Sequence, residues 1–395
     1  MANVLIEFYD RDNIDNILSL LHGRYDRVYC LYYPAAPFVK KTDLAALSDF
    51  IVSHFSVRPV FLKVRRNTID AFLSVFESVV RASDTYEFDI TGGSDIYIAA
   101  AGCFVGSHAS ESVTLHRYGA KTDRMLMRYP APPEDRPRLL SLSVPDMIAL
   151  RGTFLTRGES DGRLFRSDRT DREVRALWHA VKDVSGSWNK FCMLRPVAAP
   201  EGRQCRRPTS SEELATAHKI VSRLKSAGLV SHVSFDTAGG RTYLTFTPCV
   251  APENEKLLLQ AGTVLERYAC LCAEDSGLFS DVRTGIEIDW DGLPSRNADN
   301  PYNEIDLMLV FDNTAVLASC KNREPSKEDL YEITVMARHF GGKYAVPMLL
   351  CTQPAQGGVA VRAKEMGVFL IDGIKSRSEK NLIARLSELI RKSRA

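Results

Sequence analysis

Asp306, in Asn303-Glu304-Ile305-Asp306, and Lys321, in Ala318-Ser319-Cys320-Lys321-Asn322, are the residues whose types and spacing best suit chemistry. The apolar runs Leu307–Phe311 and Ala315–Ala318 flank Asp312-Asn313-Thr314, which predicts a β-hairpin closed by a short Asp/Asn turn. Strand alternation has period two, so Glu304 and Asp306 are expected on one face, and Ser319 and Lys321 on another. Closing the hairpin brings Asp306 and Lys321 together at its open end. A carboxylate beside a lysine there suits a divalent cation together with an ammonium facing a phosphate. The plain alternative for the two residues is a surface ion pair.

The elements that must hold this hairpin follow from the rest of the chain. Its 395 residues exceed one ordinary domain, and two or three are expected. Hydrophobic residues make up 45% and charged residues 25%, as in a soluble globular protein. A net charge of +2 gives no bulk field for nucleic acid, so any such site must be a local basic patch. The nine cysteines form no CxxC pair and the eight histidines show no zinc spacing. Scattered cysteines, no apolar stretch of membrane-spanning length and no signal-peptide pattern predict a cytoplasmic protein with no membrane association.

The first segment alternates strand and helix patterns: Val4–Phe8, then a polar loop Tyr9–Asn13, and later Tyr86–Ile90 running into Thr91-Gly92-Gly93-Ser94 and the small-residue helix Ile96–Gly102. Such alternation predicts an α/β fold with a parallel, doubly wound sheet, whose ligands sit at the carboxyl ends of strands. Glycines there allow close backbone approach, and a helix N-terminus offers N–H groups to a phosphate. The strand-Thr-Gly-Gly-Ser-helix arrangement over residues 1–140 resembles CARF domains, the cyclic-oligoadenylate sensors of type III CRISPR systems. The resemblance implies a Rossmann-like sensor in which Tyr9, Asp10, Asn13, Thr91, Gly92, Gly93 and Ser94 contact the ring, with cyclic tetra-adenylate favoured. Asp95 stands where the family often has a lysine or another polar residue.

The Pro-rich stretch Tyr129–Arg138 reads as a linker. In the middle segment, residues 141–252, Thr156–Arg172 reads as a loop rich in Arg, Asp and Gly. A helix at Glu212–Ala227 and a hairpin of Val230–Asp236 with Thr242–Thr247 around Gly239-Gly240 look winged-helix-like. Without a basic recognition stripe, this segment is expected to be a connector between sensor and effector.

The last segment, 253–395, begins with a helix expected over Asn254–Ala273 and a strand at Ile286–Trp290. After the hairpin, Ser326 before Lys327-Glu328-Asp329 is an N-cap signature for a helix reaching Phe340. The order α-β-β-β-α-β resembles the core of PD-(D/E)xK restriction-endonuclease-like enzymes. The resemblance implies that Asp306 binds Mn²⁺ or Mg²⁺ and that Lys321 orients the attacking water or stabilises charge at phosphorus. It further implies that Cys320 offers a backbone carbonyl to the metal, and that Glu266 is a metal-linked helix glutamate. Ser319 stands where the family has Asp or Glu, so the expectation is that Glu332 or Glu304 supplies the missing carboxylate, or that Ser319 holds a water on the metal in a weaker site.

Sensor followed by nuclease resembles the CARF–nuclease effectors. This implies a metal-dependent endonuclease of DNA or RNA, activated by a cyclic oligoadenylate and working as a homodimer around the symmetric ring. Arg385, Arg391, Lys392 and Arg394 are candidates to steer the nucleic-acid backbone. The alternatives are a ring nuclease that cleaves its own ligand, and a CARF-linked transcription regulator binding DNA through the middle segment.

Overall fold

The computed structural model describes residues 1–34, 41–108, 110, 112–153, 155, 162–199, 202–289 and 302–394. The first segment runs β1 (Asn3–Phe8), α1 (Leu18–His22), β2 (Arg27–Tyr32), α2 (Lys41–Phe55), β3 (Val60–Lys63), α3 (Ile69–Val79), β4 (Thr85–Asp89), α4 (Asp95–His108), β5 (Val113–Gly119) and β6 (Arg124–Tyr129). Helical crossovers force right-handed parallel pairing of their strands, and the sheet order is β3-β2-β1-β4-β5-β6. All neighbours pair in parallel except β5 and β6. The expected doubly wound sheet is present, and the β5–β6 hairpin extends it with an edge that the sequence did not announce. Leu126, Met127 and Tyr129 are exposed on β6, so its pattern lacks the alternation of a half-buried strand.

The middle segment comprises α5 (Val144–Ala149), α6 (Asp168–Val181), α7 (Ser185–Cys192), β7 (Arg195–Val197), β8 (Gln204–Arg207), α8 (Ser211–Ser226), β9 (Val230–Ala238), β10 (Arg241–Pro248) and α9 (Pro252–Glu255). Its four strands form a second sheet in the order β7-β8-β10-β9. Part of the loop expected at Thr156–Arg172 is helix: Ser167 and Thr170 exchange a capping box that starts α6 inside the charged run. Residues 156–161 lie outside the described residues.

The last segment holds α10 (Thr263–Asp275), β11 (Asp281–Asp289), β12 (Tyr302–Phe311), β13 (Thr314–Lys321), α11 (Lys327–Met336), β14 (Val346–Cys351), α12 (Gly357–Glu365), β15 (Phe369–Ile371) and α13 (Glu379–Arg394). The expected helix over Asn254–Ala273 is broken into α9, a 3-10 turn at Lys256–Leu258, and α10. Trp290, the end of the expected strand Ile286–Trp290, lies outside the described residues. The order α10-β11-β12-β13-α11-β14 is the one expected, in a sheet ordered β11-β12-β13-β14-β15.

Two cores sandwich this third sheet. Leu309, Phe311, Val316 and Ala318 pack with α10, α13 and the middle segment's Trp178, Ile220 and Phe246. Met308, Val310, Ala315 and Leu317 pack on the other side with Leu330 and Ile333 of α11. That second core continues without a break into Leu5, Phe50 and Ile51 of the first segment and Met147 and Ile148 of α5. The first and third sheets share this core directly together with α5, at the start of the middle segment, whereas α6, α7, α8 and the second sheet pack on the far face of the third sheet. Among the described residues no helix is long and apolar enough to cross a membrane.

Candidate active site and ligand loop

β12 and β13 pair from Phe311↔Thr314 to Leu307↔Ala318 and then part. From there β13 follows β14, with Ser319↔Leu349 and Lys321↔Cys351, while β12 follows β11, with Ile305↔Ile286. Asp306 sits at this fork. Its Oδ2 accepts the Cys320 N–H at 2.7 Å and the Ser319 hydroxyl at 3.2 Å, replacing the strand partner that Cys320 has lost. The Asp306 carbonyl accepts the Thr284 hydroxyl at 2.8 Å. The Lys321 carbonyl takes the Thr352 N–H at 3.1 Å and is turned toward β14, so the Cys320 carbonyl faces the fork.

Strict alternation along residues 304–311 breaks here. Leu307, Leu309 and Phe311 belong to the α10-side core, whereas Ile305 belongs to the α11-side core. On β11, Val282 and Ile286 divide in the same way. Between them lies Gly285, across from Asp306, with φ +59°, a conformation open to glycine at no steric cost. Neither Thr284 nor Gly285 was singled out from the sequence; an isolated glycine in a strand pattern was the available signal.

Glu266 stands in the first turn of α10. Gly262, the residue before that helix, leaves room for it: a Cβ there would lie 3.0 Å from Glu266 Oε1. Burial, with Asp306 and Glu304 nearby, pushes the Glu266 carboxyl up to about 8. Burial also raises Asp306, against the Cys320 N–H, Lys321 and Ser319. Burial and Asp306 raise Glu304 as well. The fork thus gathers three carboxyl groups that each hold a proton more readily than usual.

Lys321 Nζ lies 3.9 Å from Glu332 Oε2 and 4.0 Å from Asp329 Oδ1, both on α11, while its charge still favours ionised Asp306. Glu332 is therefore brought to the site through the lysine. Asp329 was read from sequence only as part of a cap. It is that, bonding Ser326 N–H at 2.8 Å, but it is also buried and clamped by Arg323 at 2.7 and 2.8 Å. Burial opposes its charge, yet the Arg323 hydrogen bonds and the Ser326 N–H hold its carboxyl below the ordinary value. The Cys320 thiol is buried and raised well above its ordinary value, which removes it from thiolate chemistry.

Clustered carboxyl oxygens suit a hard divalent cation. Among the described residues no three His, Cys, Asp or Glu side chains converge at ligating spacing. The donor set fits a Mg²⁺-like ion held by one or two carboxylates and otherwise by water and substrate oxygens. The C-terminal cations are largely committed elsewhere: Arg385 and Lys392 pair with Glu388, and Arg394 pairs with Asp312.

At the first sheet, the Asp10 carboxylate accepts Gly93 N–H at 3.2 Å and Asp12 N–H at 2.8 Å. The expected free N–H of Gly93 is thus already taken by an anion. Gly92 packs tightly, since a Cβ there would meet Cβ atoms of Asp10 and Asp15 at 3.0 Å. Thr91 is fixed by Asp89, which accepts its N–H at 2.6 Å, and its hydroxyl accepts Tyr118 N–H. Ser94 caps α4 by accepting Tyr97 N–H at 3.2 Å. Of the other expected ligand residues, Tyr9 is only 2% exposed, and Asn13 is buried, donating to the Leu150 carbonyl at 2.6 Å.

No protein-family model matches the chain, and no curated protein matches it. Among solved structures, protein VC1899 from Vibrio cholerae superposes with a TM-score of 0.73 at 15% identity, over 99% of this chain and 98% of that one. Can2 from Sulfobacillus thermosulfidooxidans, solved in complex with cyclic tetra-adenylate, superposes with a TM-score of 0.68 at 15% identity, over 98% and 99%. The chain has the fold of VC1899 and Can2.

Because the Can2 fold spans nearly the whole chain, it takes in both the loops at Asp10 and Thr91–Ser94 and the fork. The two are tied together. α11 leaves the fork through a π-helical turn, Ala337–Gly341, into Gly342 at φ +81°. The next residue, Lys343, donates its N–H to Asp12 Oδ2 at 2.7 Å and pairs its ammonium with Asp15. Tyr344 donates its hydroxyl to Asp15 Oδ1 at 3.0 Å. Burial raises the Asp15 carboxyl to about 6, against the pull of Lys343.

Proposed function

We propose that the chain is a divalent-metal-dependent endonuclease switched on by a cyclic oligoadenylate, acting in type III CRISPR defence. The observation that carries the reading is the fork itself: Asp306, Glu266 and Glu304 gather carboxyl groups of raised proton affinity within electrostatic reach of one another, with Lys321 beside Asp306. Its setting, a fold shared end to end with a protein solved around cyclic tetra-adenylate, supports the activator.

In this reading Asp306 is held ready by Cys320 N–H and Ser319, so Ser319 positions the acidic ligand rather than replacing one. Glu266, whose carboxyl favours its proton near neutral pH, would hold the cation together with Asp306 once deprotonated. The bound Mn²⁺ or Mg²⁺ supplies Lewis-acid polarisation of the phosphoryl oxygen and a water of lowered pKa. Lys321, braced by Glu332 and Asp329, presents its ammonium to the charge developing at phosphorus. A two-fold ring calls for a homodimer, with Asp10 and Thr91–Ser94 of each subunit around it. Ring phosphates would compete with the Asp10 carboxylate for Gly93 N–H, moving the loop that also carries Asp12 and Asp15.

The test is incubation of the full chain with labelled DNA or RNA, Mn²⁺ and cyclic tetra-adenylate. Cleavage that needs both additions is the expected result. Cleavage at equal rates without the ring would sink the switch, and loss of the ring alone would favour a ring nuclease.

A further inference from the structure

The middle sheet leaves one face open, and that face is basic. Arg206, Leu244 and Phe246 are buried on its inner side, where Phe235 stacks on His218 of α8 at 3.7 Å. The register puts their neighbours on the outer side: Arg195 lies directly across from Arg207, Cys205 across from Thr245, and Tyr243 across from Asp236. Arg241 follows the same parity at the end of β10. Like charges directly opposite on a sheet repel. Yet among the described residues none of Arg195, Arg207 and Arg241 has an ion-pair partner, and the Arg207 Nε is buried with no hydrogen-bond partner. Asp236 is the acid on this face.

The sheet is also fastened to the fork, through α7 on its inner side. Asn189 of α7 and Asn322, next to Lys321, exchange two hydrogen bonds, at 2.8 and 3.4 Å. Arg195 is six residues further along the chain, so its Cα is at most about 20 Å from that of Asn189. That span is about six nucleotides of a duplex strand.

We propose that the Arg195–Arg207–Arg241 face binds the phosphodiester backbone of nucleic acid flanking the scissile bond, with Tyr243 as a stacking ring. This rests on the nuclease reading for the word scissile, and on the sheet alone for the binding. Unpaired guanidiniums in a cross-strand pair gain what they lack from a polyanion. An aromatic ring between cations suits a base of an unpaired strand.

The experiment is fluorescence anisotropy of a labelled oligothymidylate, and of the corresponding duplex, titrated with the full-length chain over a range of salt. Removing two phosphate contacts in an Arg195→Ala/Arg207→Ala variant should lower the slope of log affinity against log salt by about 1.4 on the single strand or about 1.8 on the duplex. The Arg195→Lys/Arg207→Lys variant should recover the slope, and its melting curve controls for folding. Tyr243→Ala should weaken the single strand more than the duplex. Unchanged slope and affinity in the alanine variant overturn the proposal, as does a wild-type chain that binds neither probe. A chain that binds through these arginines but never cleaves leaves this proposal standing and sinks the nuclease reading instead.

Discussion

The carboxylate of Asp15 and the hydroxyl of Tyr344 meet at 3.0 Å across 329 positions of sequence. This bond, with the Asp15–Lys343 pair and the Asp12 contact to the Lys343 N–H, joins the loop after β1 to the chain leaving α11. α11 in turn carries Glu332 and Asp329 beside Lys321. A change at the first sheet therefore has a short, packed route to the fork.

Breaking that route should separate binding from activation. Lys343→Ala and Asp15→Asn are expected to bind cyclic tetra-adenylate but to lose about tenfold in the ratio of activated to basal cleavage, within the usual range of coupling energies. Ring binding by calorimetry and cleavage by gel check this. An unchanged ratio rules the route out.

Cleavage itself should depend on the fork. Asp306→Asn and Lys321→Ala are each expected to lower the activated rate by about 10²–10³-fold, the scale of one lost charge-stabilising group. Their melting temperatures should stay near that of the wild type. Retained metal-dependent activity in both would place the chemistry elsewhere.

Glu266 predicts a pH dependence of stability. Its carboxyl sits at about 8 in the fold against 4.5 as an ordinary glutamate, so the folded chain holds the extra proton between these values. Stability contributed by this group is complete below about 4.5 and falls as pH rises toward 8. Glu266→Gln should flatten that part of the curve in metal-free buffer, and Mn²⁺ should flatten it in the wild type. A variant whose melting temperature follows pH as steeply as the wild type counts against the assignment.

Gly285→Ala should destabilise the chain by about 1–2 kcal/mol, the cost of a side chain in the left-handed region. No steric clash accompanies it, the nearest atom being Glu304 Oε1 at 3.8 Å from the added Cβ. Urea unfolding measures the cost, and cleavage should fall as Asp306 loses its fixed place. A neutral substitution would mean that the strand turns at another residue.

The sequence by itself determined the local elements. Apolar runs and the Asp/Asn turn predicted the hairpin of β12 and β13, and Ser326 three residues before Asp329 announced α11. These signals lie within a few residues of one another, where backbone preferences and alternation act. Only the tertiary structure decided what meets at the fork. Asp306 bonds Cys320 because two strands part there, and Asp329 is buried because Arg323 folds over it. Tyr9 and Asn13 are drawn inward for the same kind of reason: Tyr9 joins the core shared by the first and third sheets, and Asn13 bonds the Leu150 carbonyl. Partners far apart in sequence leave no periodic trace in it, since packing between elements chooses them after each element has formed.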